Sequence, residues 1–209
     1  MTSFLRRCFC NLVTLLAWAL FIPIFRFRAH GRRRIPRRGG LLLAANHQSY
    51  LDPVLVGMSA RREVSFMARR SLFRNRLFGA LIRVLRAFPV SREGRDTGAM
   101  REAVERLRSG RCLLVFPEGT RTRDGEIGPL RPGVLSLAER ADAPVTPVVV
   151  EGAFEAWPRD GRLRPHPIAL CYGRPISPAE CRALGREGLN RRLREEMLSL
   201  QAFLRDRKR

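Results

Sequence analysis

The sequence predicts an α/β fold: a single layered domain whose mostly parallel central sheet is flanked by helices, with an apolar membrane-associating helix at its N-terminus. Short, continuously apolar runs recur along the chain, and such runs are typical of strands that are buried on both faces. Helical patterns stand between them, and this alternation favours an α/β layer fold. At 209 residues, the chain is long enough for one domain with a substantial core.

The apolar runs locate the strands. The first run, Leu-Leu-Leu-Ala-Ala at 41–45, is followed at once by polar residues. Gly173 and Pro175 close the last run, because both residues interrupt regular strands. The predicted strands cover residues 41–45, 88–90, 112–116, 145–150 and 168–172.

The helices follow from capping residues and from helical spacing. Pro53 suits the first turn of a helix, and Asp52 before it is a possible N-cap. Segment 61–95 carries ten arginines and two acids, and its apolar residues predict an amphipathic helix with a basic face. These apolar residues are Leu77, Leu81, Ile82 and Leu85.

Three more helices are predicted in the second half of the chain. Asp96 or Thr97 caps the first of them, and Gly110 ends it. Its predicted buried side consists of Met100, Ala103, Val104 and Leu107. The other two helices cover residues 133–140 and 187–207.

The net charge of +21 predicts an anionic partner, and the N-terminal segment indicates which kind. Residues 1–38 combine an apolar stretch, 9–25, with arginines on both sides of it. A nucleic-acid-binding arm does not need the apolar stretch, whereas attachment to an anionic membrane uses both features. The nine arginines are Arg6, Arg7, Arg26, Arg28, Arg32, Arg33, Arg34, Arg37 and Arg38.

We therefore divide the chain into a membrane-associating segment, 1–38, and a second domain, 39–209. The apolar stretch is short for a spanning helix, so we expect a monotopic or re-entrant helix, with a genuine span as the second interpretation. Because arginine-rich flanks tend to stay cytoplasmic, the expected location is the cytoplasmic face of the inner (plasma) membrane. The five cysteines show no metal-binding spacing, and we expect free thiols.

Two motifs place chemically capable side chains where predicted strands end. Asn46-His47-Gln48-Ser49-Tyr50-Leu51-Asp52 follows the strand at 41–45, and Phe116-Pro117-Glu118-Gly119-Thr120-Arg121 ends the strand at 112–116. Open α/β sheets bind their ligands at this edge. On one continuous helix, His47 and Asp52 would point about 140° apart, so we expect a turn that brings the two side chains together.

Four blocks of this sequence, in order, resemble the glycerolipid acyltransferases, in particular the bacterial 1-acyl-sn-glycerol-3-phosphate (lysophosphatidic acid) acyltransferases. The blocks are N-H-x4-D at 46–52, F-P-V-S-R at 88–92, F-P-E-G-T-R at 116–121 and V-T-P-V at 145–148. Three positions depart from the family pattern. Arg86 stands where glycine is usual, Arg69 where lysine is frequent, and Thr122 where serine is frequent.

The chemistry of acyl transfer and the resemblance together suggest roles for these residues. Imidazole readily takes a proton near neutral pH, so His47 is the expected general base and Asp52 its orienting carboxylate. The resemblance implies that the third block binds the acceptor, with Arg121 on its phosphate. The substrate-binding candidates are Glu118, Gly119, Thr120, Arg121, Arg92 and Arg69.

The resemblance also implies the substrates. An acyl chain would pass from acyl-CoA or an acyl carrier protein to the sn-2 hydroxyl of lysophosphatidic acid, giving phosphatidic acid in phospholipid synthesis. No metal or bound cofactor is expected. The expected partners are the membrane phospholipid surface, a lysophospholipid acceptor and the acyl donor, with no nucleic acid. Leu77, Phe78, Leu81 and Ile82 are candidates for an acyl-chain groove, or for ordinary core packing.

Plainer alternatives remain at this point. His47 could cap a helix or lie in the core, Glu118 and Arg121 could form an ion pair that holds a loop, and Arg69 and Arg92 could be solvated. The acceptor could be another lysophospholipid or an aminoacyl lysolipid, which a panel of acceptors would separate. A non-catalytic nucleic-acid-binding protein, suggested by charge alone, would bind any duplex with strong salt dependence. A membrane-surface scaffold with vestigial motifs is a further alternative.

Overall fold

The computed structural model describes residues 3–91, 96–159 and 161–207, and it contains one seven-stranded sheet. The strands are β1 (Arg28–His30), β2 (Leu41–Ala45), β3 (Val64–Arg69), β4 (Ala87–Val90), β5 (Cys112–Val115), β6 (Val145–Glu151) and β7 (Ala169–Tyr172). The helices are α1 (Ser3–Phe25), α2 (Asp52–Ser59), α3 (Arg76–Val84), α4 (Thr97–Arg108), α5 (Pro132–Ala141), α6 (Ala153–Ala156) and α7 (Pro178–Asp206). Two short 3-10 turns cover Arg32–Arg34 and Arg70–Phe73.

The strand order is β1-β7-β6-β2-β5-β3-β4. Strands β2 to β6 are parallel to one another, β7 pairs antiparallel with β6, and β1 pairs parallel with β7. The predicted α/β class and the mostly parallel sheet are therefore confirmed. We call the edge at which β2 to β6 end the carboxyl edge of the sheet.

Helices cover both faces of the sheet, as right-handed crossovers require. On one face, α4, α5 and α7 pack on alternate strand residues such as Leu42 and Val149. On the other face, α1 and α2 pack on the intervening residues, such as Leu43 and Val148. Helix α3 lies on this second face too, because Phe66 packs against the α1–α2 core and against the small cluster that contains Ile82 of α3. We call this second face the α1–α3 face.

Two contacts hold α1 and α2 in position on this face. The indole N–H of Trp18 donates to the carbonyl of Met58 (3.1 Å), which joins α1 to the end of α2. The buried Tyr172 hydroxyl lies 3.1 Å from the carbonyl of Val56, to which it donates, and 2.8 Å from the hydroxyl of Ser59. Helix α2 begins at Asp52, so these contacts also fix the position of that residue.

Helix α1 covers Ser3–Phe25, with Phe21 and Phe25 buried against the sheet, and its expected association with a membrane stays a prediction. Among the helices in the described ranges, none is both long and apolar enough to cross a membrane. Strand β1 lies within residues 1–38 and pairs with β7, so part of that segment belongs to the central sheet. The division of the chain at residue 38 stays a prediction.

Two helices differ from their predicted bounds. The amphipathic helix predicted within segment 61–95 covers only Arg76–Val84, because strand β3 and the turn Arg70–Phe73 come before it. The C-terminal helix is the second. Helix α7 begins at Pro178, well before the expected start at 187. Ser177 and Glu180 form a capping box, in which each side chain accepts a hydrogen bond from the other residue's backbone N–H. Gly185, with φ +62°, then kinks the helix, and the sequence interpretation started the helix after this break.

Candidate active site

The two motifs meet at a crevice in the carboxyl edge of the sheet. Strands β2 and β5 are neighbours, but their connections leave in opposite directions, since β2 continues through α2 to β3 and β5 continues through α5 to β6. Such a point, where the strand order reverses, opens a crevice in which α/β proteins bind ligands. His47 follows β2 and Glu118 follows β5, so both lie at this crevice.

The Asp52 carboxylate organises the turn after β2. This side chain is fully buried, and its Oδ2 accepts hydrogen bonds from Nδ1 of His47 (2.8 Å) and from the backbone N–H groups of Gln48 (2.7 Å) and Ser49 (2.7 Å). The expected turn is therefore present. The expected N-cap role is wrong, because Leu51 occupies the N-cap and Asp52 is the first residue of α2.

The His47 ring is fixed from two sides. Its Nδ1 lies 2.8 Å from Asp52, and its ring stacks on Phe116, with ring centroids 3.9 Å apart and an interplanar angle of 16°. The side chain keeps an exposed fraction of 20%. When Nδ1 donates to Asp52, Nε2 is the nitrogen left to accept a proton. The interpretation of His47 as a helix cap or core histidine does not fit this partly exposed ring.

Glu118 links the two motif loops through backbone groups. Its Oε1 accepts from the N–H of His47 (2.8 Å), and its Oε2 accepts from the N–H of Gly128 (3.0 Å). Burial raises the pKa of the Glu118 carboxyl above its ordinary value, and the two N–H groups oppose that shift. Glu118 and Arg121, which both lie in the described ranges, do not form an ion pair with each other. The alternative in which such an ion pair holds the loop is therefore wrong.

The Arg121 guanidinium stacks on Tyr50, and one of its nitrogen atoms has no hydrogen-bond partner among the described residues. Its guanidinium carbon lies 3.5 Å from the centre of the Tyr50 ring, and Tyr50 in turn packs on Trp157. Its Nη1 is buried and has no hydrogen-bond partner among the described residues. A buried guanidinium N–H without a partner is costly, and an anionic ligand would remove that cost.

The glycine of the third block is required by its backbone conformation. Gly119 has φ +71°, and a Cβ at this position would lie 2.8 Å from Nε of Arg131. A side chain here would therefore be strained and crowded. Gly119 and the next residue, Thr120, are both exposed at the crevice. We infer that glycine allows the tight turn that brings Arg121 back towards Tyr50.

Sequence reasoning missed the residues that anchor the loop after β2. The Asn46 side chain exchanges two hydrogen bonds with the backbone of Val150, at 2.9 and 2.8 Å. The amide of Gln48 donates to the carbonyl of Gly125 (2.7 Å), and the N–H of Thr122 donates to the carbonyl of His47 (2.8 Å). Amide residues that directly follow a continuously apolar strand are a sequence signal that could have identified Asn46 and Gln48, because buried amide groups must be hydrogen-bonded.

Of the two outlying arginines, only Arg69 lies in the part of the chain that the structure describes. Arg69 is exposed at the end of β3. Because Phe66 pairs with Leu114, Arg69 is level with Pro117, just before Glu118. Arg92 lies outside the described residues. Arg86, which replaces a usual glycine, has φ +70°, the left-handed region that favours glycine.

A groove runs along α2 on the α1–α3 face, with a volume of about 830 Å³. Its apolar lining includes Ala17 and Trp18 of α1, Gly57 and Met58 of α2, and Phe66 of β3. The groove candidates named from the sequence do not line it. Leu77, Phe78 and Leu81 are exposed on α3, and Ile82 is buried in a separate cluster.

This geometry combines a histidine–carboxylate dyad, an arginine with one donor that has no partner among the described residues, and a groove along α2 whose lining is partly apolar and partly charged. The dyad can remove a proton from a hydroxyl group and return it to a leaving group. The arginine can bind a phosphate, and the groove can hold a hydrocarbon chain. In the described ranges, no group of three or more His, Cys, Asp or Glu side chains could hold a metal ion.

Such a site is suited to the transfer of a hydrophobic group, and comparison with known proteins identifies its family. The family model described as "Acyltransferase" matches residues 26–151, so the chain belongs to this acyltransferase family. A 1-acyl-sn-glycerol-3-phosphate acyltransferase of Bacillus subtilis is 27% identical over 179 residues, which are 80% of this chain and 86% of that protein.

Two further proteins extend the comparison. The protein of the same name from Streptococcus pneumoniae is 29% identical over 182 residues, covering 86% of this chain but 65% of its own length. The crystal structure of the 1-acyl-sn-glycerophosphate (LPA) acyltransferase of Thermotoga maritima is similar, with a TM-score of 0.81 and 25% sequence identity, covering 95% of this chain and 81% of that one.

The two backbone bonds of Glu118 predict the effect of Glu118→Gln. A glutamine amide turns an NH2 group towards one of the two N–H donors, so one bond becomes a donor–donor contact. We expect a loss of about 1–3 kcal/mol in the free energy of unfolding, measured by chemical denaturation, together with reduced turnover. Glu155→Gln, on the exposed surface of α6, is the control and should change neither. Equal stability of the two variants would contradict this role of Glu118.

Proposed function

We propose that this acyltransferase transfers an acyl chain from an acyl thioester to the free sn-2 hydroxyl of lysophosphatidic acid, giving phosphatidic acid in phospholipid synthesis. The observation that carries the proposal is the His47–Asp52 dyad together with Arg121, whose buried Nη1 has no hydrogen-bond partner among the residues that the structure describes. The names of the relatives, 1-acyl-sn-glycerol-3-phosphate acyltransferases, support the same acceptor. The donor is acyl-CoA or an acyl carrier protein, both of which are acidic and suit the net charge of +21.

In the proposed mechanism, the acceptor hydroxyl attacks the thioester directly. Nε2 of His47 takes the hydroxyl proton while the hydroxyl oxygen bonds to the carbonyl carbon. The carbon–sulfur bond then breaks, and the imidazolium returns the proton to the departing thiolate. Asp52 holds the ring in the tautomer with its proton on Nδ1 and stabilises the imidazolium.

No acyl-enzyme intermediate is included in this mechanism. Ser49 is the hydroxyl residue nearest to His47 in the motif, but its side chain donates to the carbonyl of Trp157 (2.9 Å) and is buried. Its hydroxyl is therefore engaged with the backbone, whereas a nucleophilic serine must face its base.

Arg121 binds the acceptor phosphate in this proposal, through charge-assisted hydrogen bonds. Glu118, Gly119 and Thr120 shape the loop that presents it. Arg69, level with that loop, is a second phosphate contact, and Arg92 keeps the same proposed role from the second block. The acyl chain of the donor lies in the groove along α2, which begins beside Pro53, the residue after Asp52.

The site operates at the cytoplasmic face of the inner (plasma) membrane, to which α1 attaches the protein as a monotopic helix. Helix α1 covers the sheet with one side and exposes large apolar side chains on the other. A contiguous apolar surface of this kind marks a contact with a membrane or a partner, and flanking arginines favour anionic lipid. The exposed side chains are Phe9, Leu12, Leu15, Leu16, Leu20, Ile22 and Ile24.

Labelled oleoyl thioester and lysophosphatidic acid test the reaction. Membranes that contain the protein should form phosphatidic acid, and His47→Ala should reduce its rate by at least about 100-fold, since general base catalysis contributes roughly 10²–10⁴. Donors linked to CoA and to carrier protein are compared in parallel. Other lysophospholipids and an aminoacyl lysolipid form the acceptor panel. Preference for one of those acceptors, or full activity of the variant, would contradict the proposal.

The phosphate contact predicts an acceptor-specific defect in Arg121→Ala. The KM for lysophosphatidic acid should rise about 10- to 100-fold, because a hydrogen bond to a charged group contributes roughly 1.5–3 kcal/mol. The KM for monoacylglycerol, which lacks phosphate, should change little. Arg123→Ala, two residues along the same loop and exposed, is the matched control. An equal loss on both acceptors would show that Arg121 does not act on the phosphate.

The groove predicts that Gly57→Phe shortens the preferred acyl chain. A Cβ on Gly57 meets no atom within 4 Å, so the new ring can enter the groove that this glycine lines. Rates with long-chain thioesters should fall about tenfold relative to short-chain ones, measured over a series of acyl-CoA lengths. Gly133→Phe, at a similarly open helical glycine on the opposite face, should keep the wild-type preference. The same preference in both variants would exclude this groove.

A further inference from the structure

The exposed side chains of α3 form a second apolar surface, separate from α1. Leu77 is 86% exposed, and Phe78 and Leu81 beside it on the same helix are also exposed, as is Leu72 in the turn before it. The helix packs inward through Ile82. These four exposed residues, with the arginines around them, are called the α3 surface here.

The charged residues of this stretch of the sequence have one sign. From residue 64 to residue 92 the sequence contains no acid. Exposed arginines surround the apolar residues, and they are Arg69, Arg70, Arg74, Arg76 and Arg83. A short helix with a leucine- and phenylalanine-rich side framed by arginine is typical of helices that lie in the interface of an anionic bilayer.

The α3 surface and the exposed side of α1 belong to the same face of the sheet. Most exposed large apolar side chains in the described ranges lie on or beside α1, α2 and α3, including Tyr50 and Val54 at the start of α2. The exceptions are Leu163, Leu184 and Phe203, which lie in the β6–β7 connection and on α7. The apolar surface is therefore concentrated on the α1–α3 face.

Helices α1 and α3 both reach the carboxyl edge, on opposite sides of the active site. Ala169 of β7 pairs with Arg28 of β1 and with Glu151, the last residue of β6. Arg28 therefore lies at the carboxyl edge, and α1, which ends shortly before Arg28, ends at this edge on the β1 side. The turn Arg70–Phe73 directly follows β3, so α3 begins at this edge on the β4 side. The loop after β2, which carries the dyad, and the loop after β5, which carries Arg121, lie between them in the strand order.

We infer that the α3 surface is a second membrane contact, which docks on an anionic lipid bilayer and holds the site entrance against it. The inference rests on the proposed membrane location of the enzyme. A single contact through α1 would leave the molecule free to rotate about that helix. Two contacts on either side of the crevice fix its orientation, so that a lysolipid can reach Arg121 and His47 without leaving the membrane surface.

An environment-sensitive fluorophore on Leu77→Cys tests the contact in the full chain, with Cys8 and Cys10 changed to serine. Vesicles of phosphatidylcholine mixed with an equal amount of phosphatidylglycerol should shift its emission to the blue, and pure phosphatidylcholine vesicles should do so less. The same label on Leu184→Cys, on α7, should not respond. Cys112, Cys171 and Cys181 are buried and do not compete for the label.

Three results would overturn the inference. If the protein co-sediments with the vesicles but position 77 does not respond, α3 does not touch the bilayer, while attachment through α1 stands. If the label responds to acyl carrier protein without vesicles, the surface binds an acidic protein instead. If the protein does not co-sediment at all, the proposed membrane location fails and the inference fails with it.

A pair of double variants measures the functional effect. Leu77→Gln with Leu81→Gln should lower partitioning to the mixed vesicles about tenfold or more, because two exposed leucines lose their contact with lipid. Turnover should fall for lysophosphatidic acid in vesicles and stay unchanged for the same acceptor in detergent micelles. Leu163→Gln with Leu184→Gln is the control and should change neither quantity. Equal partitioning of both double variants would overturn the inference.

Discussion

The site depends on one buried oxygen, Oδ2 of Asp52, which accepts three hydrogen bonds at 2.7 to 2.8 Å. Two come from the backbone of the loop after β2 and one comes from His47. The same charge therefore closes the turn and orients the base. Because the carboxylate is fully buried and its bonds are short, the loop and the ring have one arrangement, and the rest of the site is arranged around it.

The neighbouring loop is connected to this centre through the backbone. Glu118 accepts from the N–H of His47, and the carbonyl of His47 accepts from the N–H of Thr122. The third motif is therefore attached to the first on both sides of the histidine, while the Arg121 guanidinium stacks on Tyr50. This division explains why the glutamate and the arginine of one motif do not pair: the glutamate bonds the backbone of the loops, and the arginine packs on an aromatic ring.

Much of this could be predicted from the sequence, because the signals were local. The run Leu41–Ala45 and the loop residues after it specified a buried strand ending at the site, and the His47–Asp52 spacing specified a turn. The membrane role of the N-terminal segment stays a prediction. The roles of Glu118 and of Leu77 were not predictable, because they depend on which groups lie opposite after folding. Glu118 accepts hydrogen bonds from backbone N–H groups, and these groups leave no signal in the sequence. The helical spacing around Leu77 does not show which side of α3 faces the sheet.

In the proposed mechanism the negative charge of Asp52 makes His47 a base, and the turnover of Asp52→Asn tests this role. The asparagine oxygen can still accept the two backbone bonds, and its NH2 group can occupy the position of Oδ1, which has no partner within the described ranges. We expect an unfolding temperature close to that of the wild type and a kcat lower by about 10²–10⁴-fold. A stable variant with wild-type kcat would contradict it, and the dyad would then be a structural feature of the loop.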